Sequence, residues 1–351
     1  MTGFIVHNES EQRVWQALSG QSYRLPLFLP VYQPREEVFQ LAAWHQTPPI
    51  EGIIVNAFFL YKQRHIREQL ERTRSLKQYL GFHGLVATDS GAFQGFTRQL
   101  FLSNKDIVRF QNAIGSDVIA PLDLVTPPGD RRTIAAAKLQ ATNKRIVEAL
   151  RLVDRRLLAG VQQGGRFLDL RHQSVCDLME LGITYLAIGS LVPFFTTNHD
   201  LTFIGKVIRD ARAVAGPQIP MHIYGAGDPS ELPFMFAMGA DIFDSASYGH
   251  FAEGGWYMTP YGALKDPGPV LAGEFACACG VCTSQSIHAV FASKDELAKH
   301  NLWTICTTVE RLRELGRATP RLDAYLEDLL EIHQCWFPKS ALRASWSGLN
   351  D

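Results

Sequence analysis

Residues 241–250 read DIFDSASYGH, an apolar run that ends in a carboxylate, Asp244, and continues into small residues. Two other runs end in the same way: GLVATDS (84–90) delivers Asp89 and SDVIAPLD (116–123) delivers Asp123. Capping the next helix is the ordinary use of an acid at such a place. That use accounts poorly for Asp89 and Asp244, because glycine, aromatic and small residues follow them instead of a helical pattern. Small neighbours let a flat ligand approach the backbone closely. No lysine or arginine lies within ten residues of Asp244 on either side.

A second constellation is FACACGVCTSQS, where Cys277, Cys279 and Cys282 are spaced C-x-C-x2-C. Three thiols so spaced, in a chain without secretory context, favour zinc over disulfides. His288 and His300 are the candidates for a fourth ligand. His288 follows too closely to come from a separate helix. His300 sits in DELAKHNLWTI, a helical pattern that can turn one face back toward the thiols, and is preferred. Three thiolates and one imidazole fill a tetrahedron, so the expectation is one structural zinc per chain. Cys176, Cys306 and Cys335 are isolated and read as core residues.

The elements that must position these groups follow from periodicity. Eight short apolar runs occur, at 25–32, 52–58, 84–90, 116–123, 158–164, 184–190, 220–227 and 240–246. Between them lie segments of helical periodicity, including 64–80, 130–153, 166–182, 198–214 and 228–239. Asn104, Asp130 and Asp228 are expected helix caps, with Pro229 at a first helical position. Strand alternating with helix in this way predicts a (β/α)8 barrel, with a doubly wound open sheet as the alternative. Barrel chemistry sits where the strands end. Those ends carry Asn56, Asp89-Ser90-Gly91, Asp123, Gln162 to Gly165, Gly189-Ser190, Tyr224-Gly225 and Asp244-Ser245. The expected division is a catalytic barrel over 1–270, then a zinc-binding subdomain with closing helices over 271–351.

Composition bounds the function. The chain has 351 residues, 46% hydrophobic and 20% charged, as in a soluble globular protein. A net charge of −1 gives no global basic field for nucleic acid. The basic spots at Arg131-Arg132, Arg155-Arg156, Arg311/Arg313/Arg317 and Lys339/Arg343 read as solvated helix faces. No apolar run is long enough to span a membrane, and MTGFIVHNES does not look like a signal peptide. A cytoplasmic enzyme with no membrane partner is expected.

The phrases TDSGAFQ (88–94), GSDVIAPLDLVTPP (115–128), GVQQGG (160–165), AIGSLVP (187–193) and FDSASY (243–248), with the cysteine–histidine cluster, resemble the tRNA-guanine transglycosylase family. The likeness is closest to its archaeosine-type branch and spans residues 25–315. The family's fold is a zinc-bearing (β/α)8 barrel. The resemblance implies that Asp244 is a nucleophile that attacks C1′ of guanosine, expels guanine and holds the ribose covalently. A carboxylate suits an oxocarbenium-like transition state, and a neighbouring cation would blunt it. Asp89 would shuttle the proton. Asp123 would accept the N1–H and 2-amino group of the base. Gln163 and the backbone at Gly189-Ser190-Leu191 would read the O6 edge and the 7-substituent, and Phe93 and Tyr224 would sandwich the ring. Ser90, Gln94 and Gly164 are implied substrate-binding residues as well.

The resemblance also implies a homodimer and a polynucleotide substrate, tRNA before DNA. Stand-alone DNA-modifying relatives and non-catalytic partner subunits are the alternatives. Archaeosine-type enzymes carry further C-terminal domains, one of them RNA-binding, which are expected to be absent here. SASYGHFAEGGWY lacks the arginines that queuosine-type enzymes present after their nucleophile. Those enzymes meet an aminomethyl base with a glutamate four residues beyond a Gly-Gly-Leu leucine; here that position is Phe195. A neutral 7-cyano-7-deazaguanine (preQ0) is therefore the expected incoming base.

Overall fold

The computed structural model describes residues 5–9, 12–17, 20–33, 50–92, 102–196 and 200–350. Three short antiparallel strands come first: β1 (Ile5–Glu9), β2 (Gln12–Gln16) and β3 (Ser22–Leu25). Eight strands then form the central sheet: β4 (Leu27–Tyr32), β5 (Gly52–Asn56), β6 (Leu85–Asp89), β7 (Val118–Ile119), β8 (Gly160–Gln162), β9 (Leu186–Ile188), β10 (Met221–Ile223) and β11 (Ile242–Ser245). Each falls inside one of the eight apolar runs read from the sequence. Their spatial order is β7-β6-β5-β4-β11-β10-β9-β8, and every pairing is parallel. A parallel bridge between Ile119 and Leu158 joins the two ends, with the Ala159 amide donating to the Ile119 carbonyl at 2.9 Å. The sheet therefore closes on itself, as a barrel requires and an open sheet does not.

Alternation along the strands sorts side chains between two cores. Leu27, Leu29, Ile54, Leu85, Ala87, Val161, Ala187 and Ile242 share one buried cluster with Trp15, Tyr23 and Tyr185. Their neighbours Phe28, Ile53, Val55, Val86, Ile188 and Phe243 belong to another, with the residues of the surrounding helices. The first cluster is the barrel interior and the second the layer between sheet and helices. Trp15 of β2 is fully buried in the interior, its ring 5.3 Å from that of Tyr185. The same parity carried upward turns Asn56, Asp89, Gln163, His222, Tyr224 and Asp244 inward at the rim.

Several helix boundaries differ from the sequence expectation. The 64–80 segment is two helices, Arg64–Thr73 and Leu76–Leu80, because Arg74 adopts a left-handed conformation and Ser75 starts a new cap. Ser103, not Asn104, caps helix Asn104–Ala113, its hydroxyl accepting from the Asp106 amide. Asn104 is buried and instead ties Leu122 to Arg145 and Glu148. Asp130 forms an ion pair with Lys138, and Arg131 precedes helix Arg132–Ala149. Asp228 caps a turn through Ser230; its helix starts later, at Leu232, with Pro233 in the first turn. Short polar side chains serve turns as well as helices, which is why position alone misassigned them.

Beyond the barrel, strands β12 (Tyr257–Thr259) and β13 (Gly262–Leu264) form a hairpin against the long helix Lys294–Leu315. No helix among the described residues is long and apolar enough to cross a membrane. Cys335 is exposed, not a core residue, and Cys176 and Cys306 are half-buried. Arg313 and Arg317 are not solvated face residues either. Arg313 binds Glu51, Glu310 and the Pro26 carbonyl, and Arg317 binds Asp241 and two backbone carbonyls.

Candidate active site and metal centre

Asp244 lies in β11, in register with Leu29 of β4, and is 8% exposed. No lysine or arginine pairs with it among the described residues. Its Oδ1 faces His222 Nε2 at 2.9 Å, a close approach poorly aligned for a hydrogen bond, and accepts from the Gly225 amide at 3.4 Å. On the far side of the imidazole, Nδ1 lies 2.9 Å from the Tyr185 hydroxyl. Burial pushes that phenol well above its ordinary value, so it stays protonated. The imidazole thus lies between the Tyr185 hydroxyl and the Asp244 carboxylate. Oδ2 remains the carboxylate oxygen without a described partner.

Asp89, the last residue of β6, accepts from Asn56 Nδ2 at 2.8 Å and from the Gly91 amide at 3.1 Å. Asn56 also caps the next helix through its Oδ1, which fixes the amide. Burial is the main influence on Asp89, Gly91 opposes it and the charge of Asp244 adds to it, so its pKa rises to about 6. Asp123 lies just beyond β7; burial, then the charge of Asp89, raises its pKa to about 7. The Tyr224 phenol is pushed up by burial and then by Tyr185, Asp244, Asp89 and Asp123. Asp89 thus feels the charge of Asp244 and Asp123 feels that of Asp89, while Tyr224 feels all three and lies edge-on to His222.

Asp123 also ends a hydrogen-bonded relay. The Thr126 amide donates to Ser190 Oγ at 2.8 Å, Ser190 Oγ donates to Gln163 Oε1 at 2.7 Å, and Gln163 Nε2 donates to Asp123 Oδ2 at 2.6 Å. Ser190 has a positive φ of 57°, a strained conformation for a residue with a side chain. Gly189 must lack a side chain, since a Cβ there would meet Gln163 Nε2 at 2.8 Å. Its amide is spent on the Gln162 carbonyl, so it contributes room and not a donor. Gly164, at φ 143°, is similarly confined by the Arg171 backbone. Ser90 Oγ is buried beside Asp89 without a hydrogen-bond partner among the described residues. Leu191 is fully buried, and Phe194 and Phe195 of helix Val192–Thr196 continue an apolar wall. Phe93 and Gln94 lie outside the described residues.

Sequence reasoning placed Asn56 at a strand end but missed His222 and Arg171 as parts of this site. Strand parity with Tyr224 would have found His222. Arg171 lies on helix Leu168–Glu180 and carried no such signal. A separate cavity of 530 Å³ lies near Asp228, His250, Trp256 and His333; none of the three acids lines it.

Cys277, Cys279, Cys282 and His300 converge, all ligand atoms lying within 4.8 Å of one another. The three sulfurs stand 3.5, 3.6 and 3.5 Å from His300 Nδ1. A tetrahedral ion with bonds of about 2.3 Å to sulfur and 2.0–2.1 Å to nitrogen requires S···N edges of about 3.5 Å. The donor set therefore fits a metal ion. Nε2 of His300 lies 2.8 Å from the Met258 carbonyl, which fixes Nδ1 as the ligating nitrogen. Tyr257 stacks on the imidazole at 3.6 Å. Amides of Cys279 and Cys282 point at the sulfurs of Cys277 and Cys279.

A closed parallel barrel with carboxylates, a glutamine and a tyrosine converging at its C-terminal rim belongs to the class of barrel enzymes. The family model described as queuine tRNA-ribosyltransferase matches residues 16–334, and the chain belongs to that family. The tRNA-guanine(15) transglycosylase of Methanopyrus kandleri is 34% identical over 304 residues, 85% of this chain and 65% of that relative. Those of Methanocaldococcus jannaschii and Pyrococcus furiosus are 30% and 31% identical, covering 97% and 90% of this chain and 52% and 56% of theirs. The chain thus spans about half to two thirds of the length of these relatives.

Proposed function

We propose that this chain carries the machinery of a base-exchanging transglycosylase, which replaces guanine in tRNA with a 7-deazaguanine through a covalent Asp244–ribosyl intermediate. The observation that carries this reading is Asp244, with which no lysine or arginine pairs among the described residues, acting on Asp89, whose pKa is raised to about 6. Two carboxylates in unequal environments divide nucleophilic and proton-transfer work.

Asp244 Oδ2 attacks C1′ of the target guanosine. The C1′–N9 bond breaks, its electron pair leaves with guanine, and protonated Asp89 supplies the proton that guanine takes up. In the second half N9 of the incoming base attacks C1′ and the bond to Asp244 breaks. Ionised Asp89 then takes the N9 proton. The Gly225 amide holds Oδ1, with His222 beside it, and leaves Oδ2 to attack. Ionised Asp123 accepts from N1–H and the 2-amino group, Gln163, Ser190 and Leu191 face the O6 and 7-substituent edge, and Tyr224 covers the ring. Ser90, Gly164 and Gly189 shape the wall; Phe93 and Gln94 enter on the sequence motif alone.

In this reading Cys277, Cys279, Cys282 and His300 hold one structural zinc. It supplies rigidity to the subdomain over 271–351, beside the barrel over 1–270, and has no position left for water. Exposed Trp336, packed edge-on against Phe275, and exposed Leu271 are apolar residues that would suit a homodimer contact. Within 191–196 no carboxylate is available to an ammonium group, which supports 7-cyano-7-deazaguanine as the incoming base.

The test supplies labelled guanine with either tRNA or duplex DNA. Label entering tRNA is expected. Label entering DNA alone moves the reading to DNA modification, and base binding without exchange moves it to a non-catalytic subunit. Competition with the aminomethyl and cyano bases should favour the cyano base; equal displacement would remove that part of the reading.

Acidification gives a second expected result. Asp123 accepts two N–H groups only when ionised, so guanine affinity should fall as pH drops below about 7. The fold should respond in the opposite sense. A carboxylate with a raised folded pKa holds more protons folded than unfolded between its ordinary value near 4 and its raised value. The contributions of Asp89 and Asp123 to stability therefore increase as pH falls through that window. Equilibrium binding and thermal melting from pH 8 to 5 check both, and affinity as strong at pH 5 as at pH 8 would remove Asp123 from the base site.

A further inference from the structure

Arg171 is 1% exposed, yet no acid pairs with it among the described residues. Its guanidinium instead meets acceptors from the last residue of β8 and from the loops that follow β8 and β9. It donates to the Gly165 carbonyl at 2.6 Å, Gln162 Oε1 at 2.9 Å, the Gly189 carbonyl at 3.1 Å and the Ser190 carbonyl at 3.5 Å. A buried cation without a counter-ion is costly, and carbonyl dipoles must converge on it for it to persist. Burial pulls its pKa down to about 9, which leaves it charged at neutral pH. Its planar fork can hold several acceptors in fixed directions.

Those acceptors adjoin the relay described above. With the Gly189 and Ser190 carbonyls turned onto Arg171, the Gly189 amide spent on Gln162 and the Leu191 carbonyl accepting from Phe194 and Phe195, residues 189–191 have two backbone groups left. They are the amides of Ser190 and Leu191, for which no acceptor occurs among the described residues. Ser190, held at positive φ, cannot keep this arrangement by its own preference.

We propose that Arg171 is a positioning residue that sets the hydrogen-bonding polarity of the base pocket, holding wall carbonyls away so that the loop offers donors alone and selects a base with a strong acceptor at position 6. The inference rests on the guanine-exchange reading. Guanine meets the requirement, and 6-thioguanine keeps the N1–H and 2-amino group while replacing O6 with a weaker acceptor.

The experiment measures equilibrium binding of guanine and 6-thioguanine to the full chain and to Arg171→Met and Arg171→Lys, with circular dichroism to establish folding. The wild-type chain is expected to prefer guanine by about tenfold, the scale of one hydrogen bond. In Arg171→Met that preference should fall to within about twofold, one lost bond's worth. Arg171→Lys, which keeps the charge but loses the fork, should fall between, and it carries the test if the methionine variant does not fold. A purely structural role would weaken both bases alike and leave their ratio unchanged, which would overturn the inference. Absence of guanine binding by the wild-type chain would instead overturn the functional reading on which it rests.

Discussion

Replacing Asp244 by asparagine is expected to lower guanine exchange by on the order of 10⁴-fold or more while leaving the chain folded, because members of a covalent catalytic set act on that scale. Asparagine is isosteric and can still accept from the Gly225 amide, so the rim loop keeps its anchor. No cation is left unpaired by the change, since Asp244 pairs with no lysine or arginine among the described residues, and the melting temperature should stay near that of the wild type. Covalent capture of polynucleotide on a denaturing gel should require Asp244. Exchange at the wild-type rate in Asp244→Asn would end the nucleophile assignment.

The second large effect concerns the metal centre. Metal analysis should return about one zinc per chain, and chelation or Cys279→Ser should unfold the region around Gly280–Ser284 and the start of helix Lys294–Leu315. Structural zinc supplies roughly 10 kcal/mol or more of apparent binding energy, comparable with the whole stability of a domain. Tyr257 and Phe291 stack in series on the His300 side of the cluster, so losing the ion should loosen their packing too. A metal-free chain that melts at the temperature of the metal-loaded one would overturn this.

The barrel was legible because each strand announces itself locally. Leu27, Leu29 and Phe28, or Leu85, Ala87 and Val86, alternate between two apolar environments within a few residues, and eight such runs suffice to count strands. Asp89, Asp123 and Asp244 were legible for the same reason, each ending a run. The metal cluster was legible from thiol spacing, with His300 chosen by helix geometry. Long-range partners were not. Nothing near Arg171 in the sequence says that its side chain will reach Gly189, and nothing near His222 places it between Tyr185 and Asp244. The caps at Asn104, Asp130 and Asp228 failed because asparagine and aspartate have several competing local uses, and tertiary packing chose among them. The first strands, β1 to β3, lacked an apolar run strong enough to be read.

Two acids three residues apart in one short stretch meet opposite fates. Asp241, fully buried just before β11, is gripped by Arg13, Arg212 and Arg317. Burial would raise its pKa, yet the three arginines hold it below the ordinary value. Asp244, at the other end of the same strand, has no such escort among the described residues. Mutational phenotypes should therefore separate along a single strand: lesions at Asp241 would reveal themselves as lost protein, lesions at Asp244 as abundant but inert protein. A screen that scores cellular abundance and activity independently would see β11 as two genetic loci, one at each end, although they are joined by only two intervening residues.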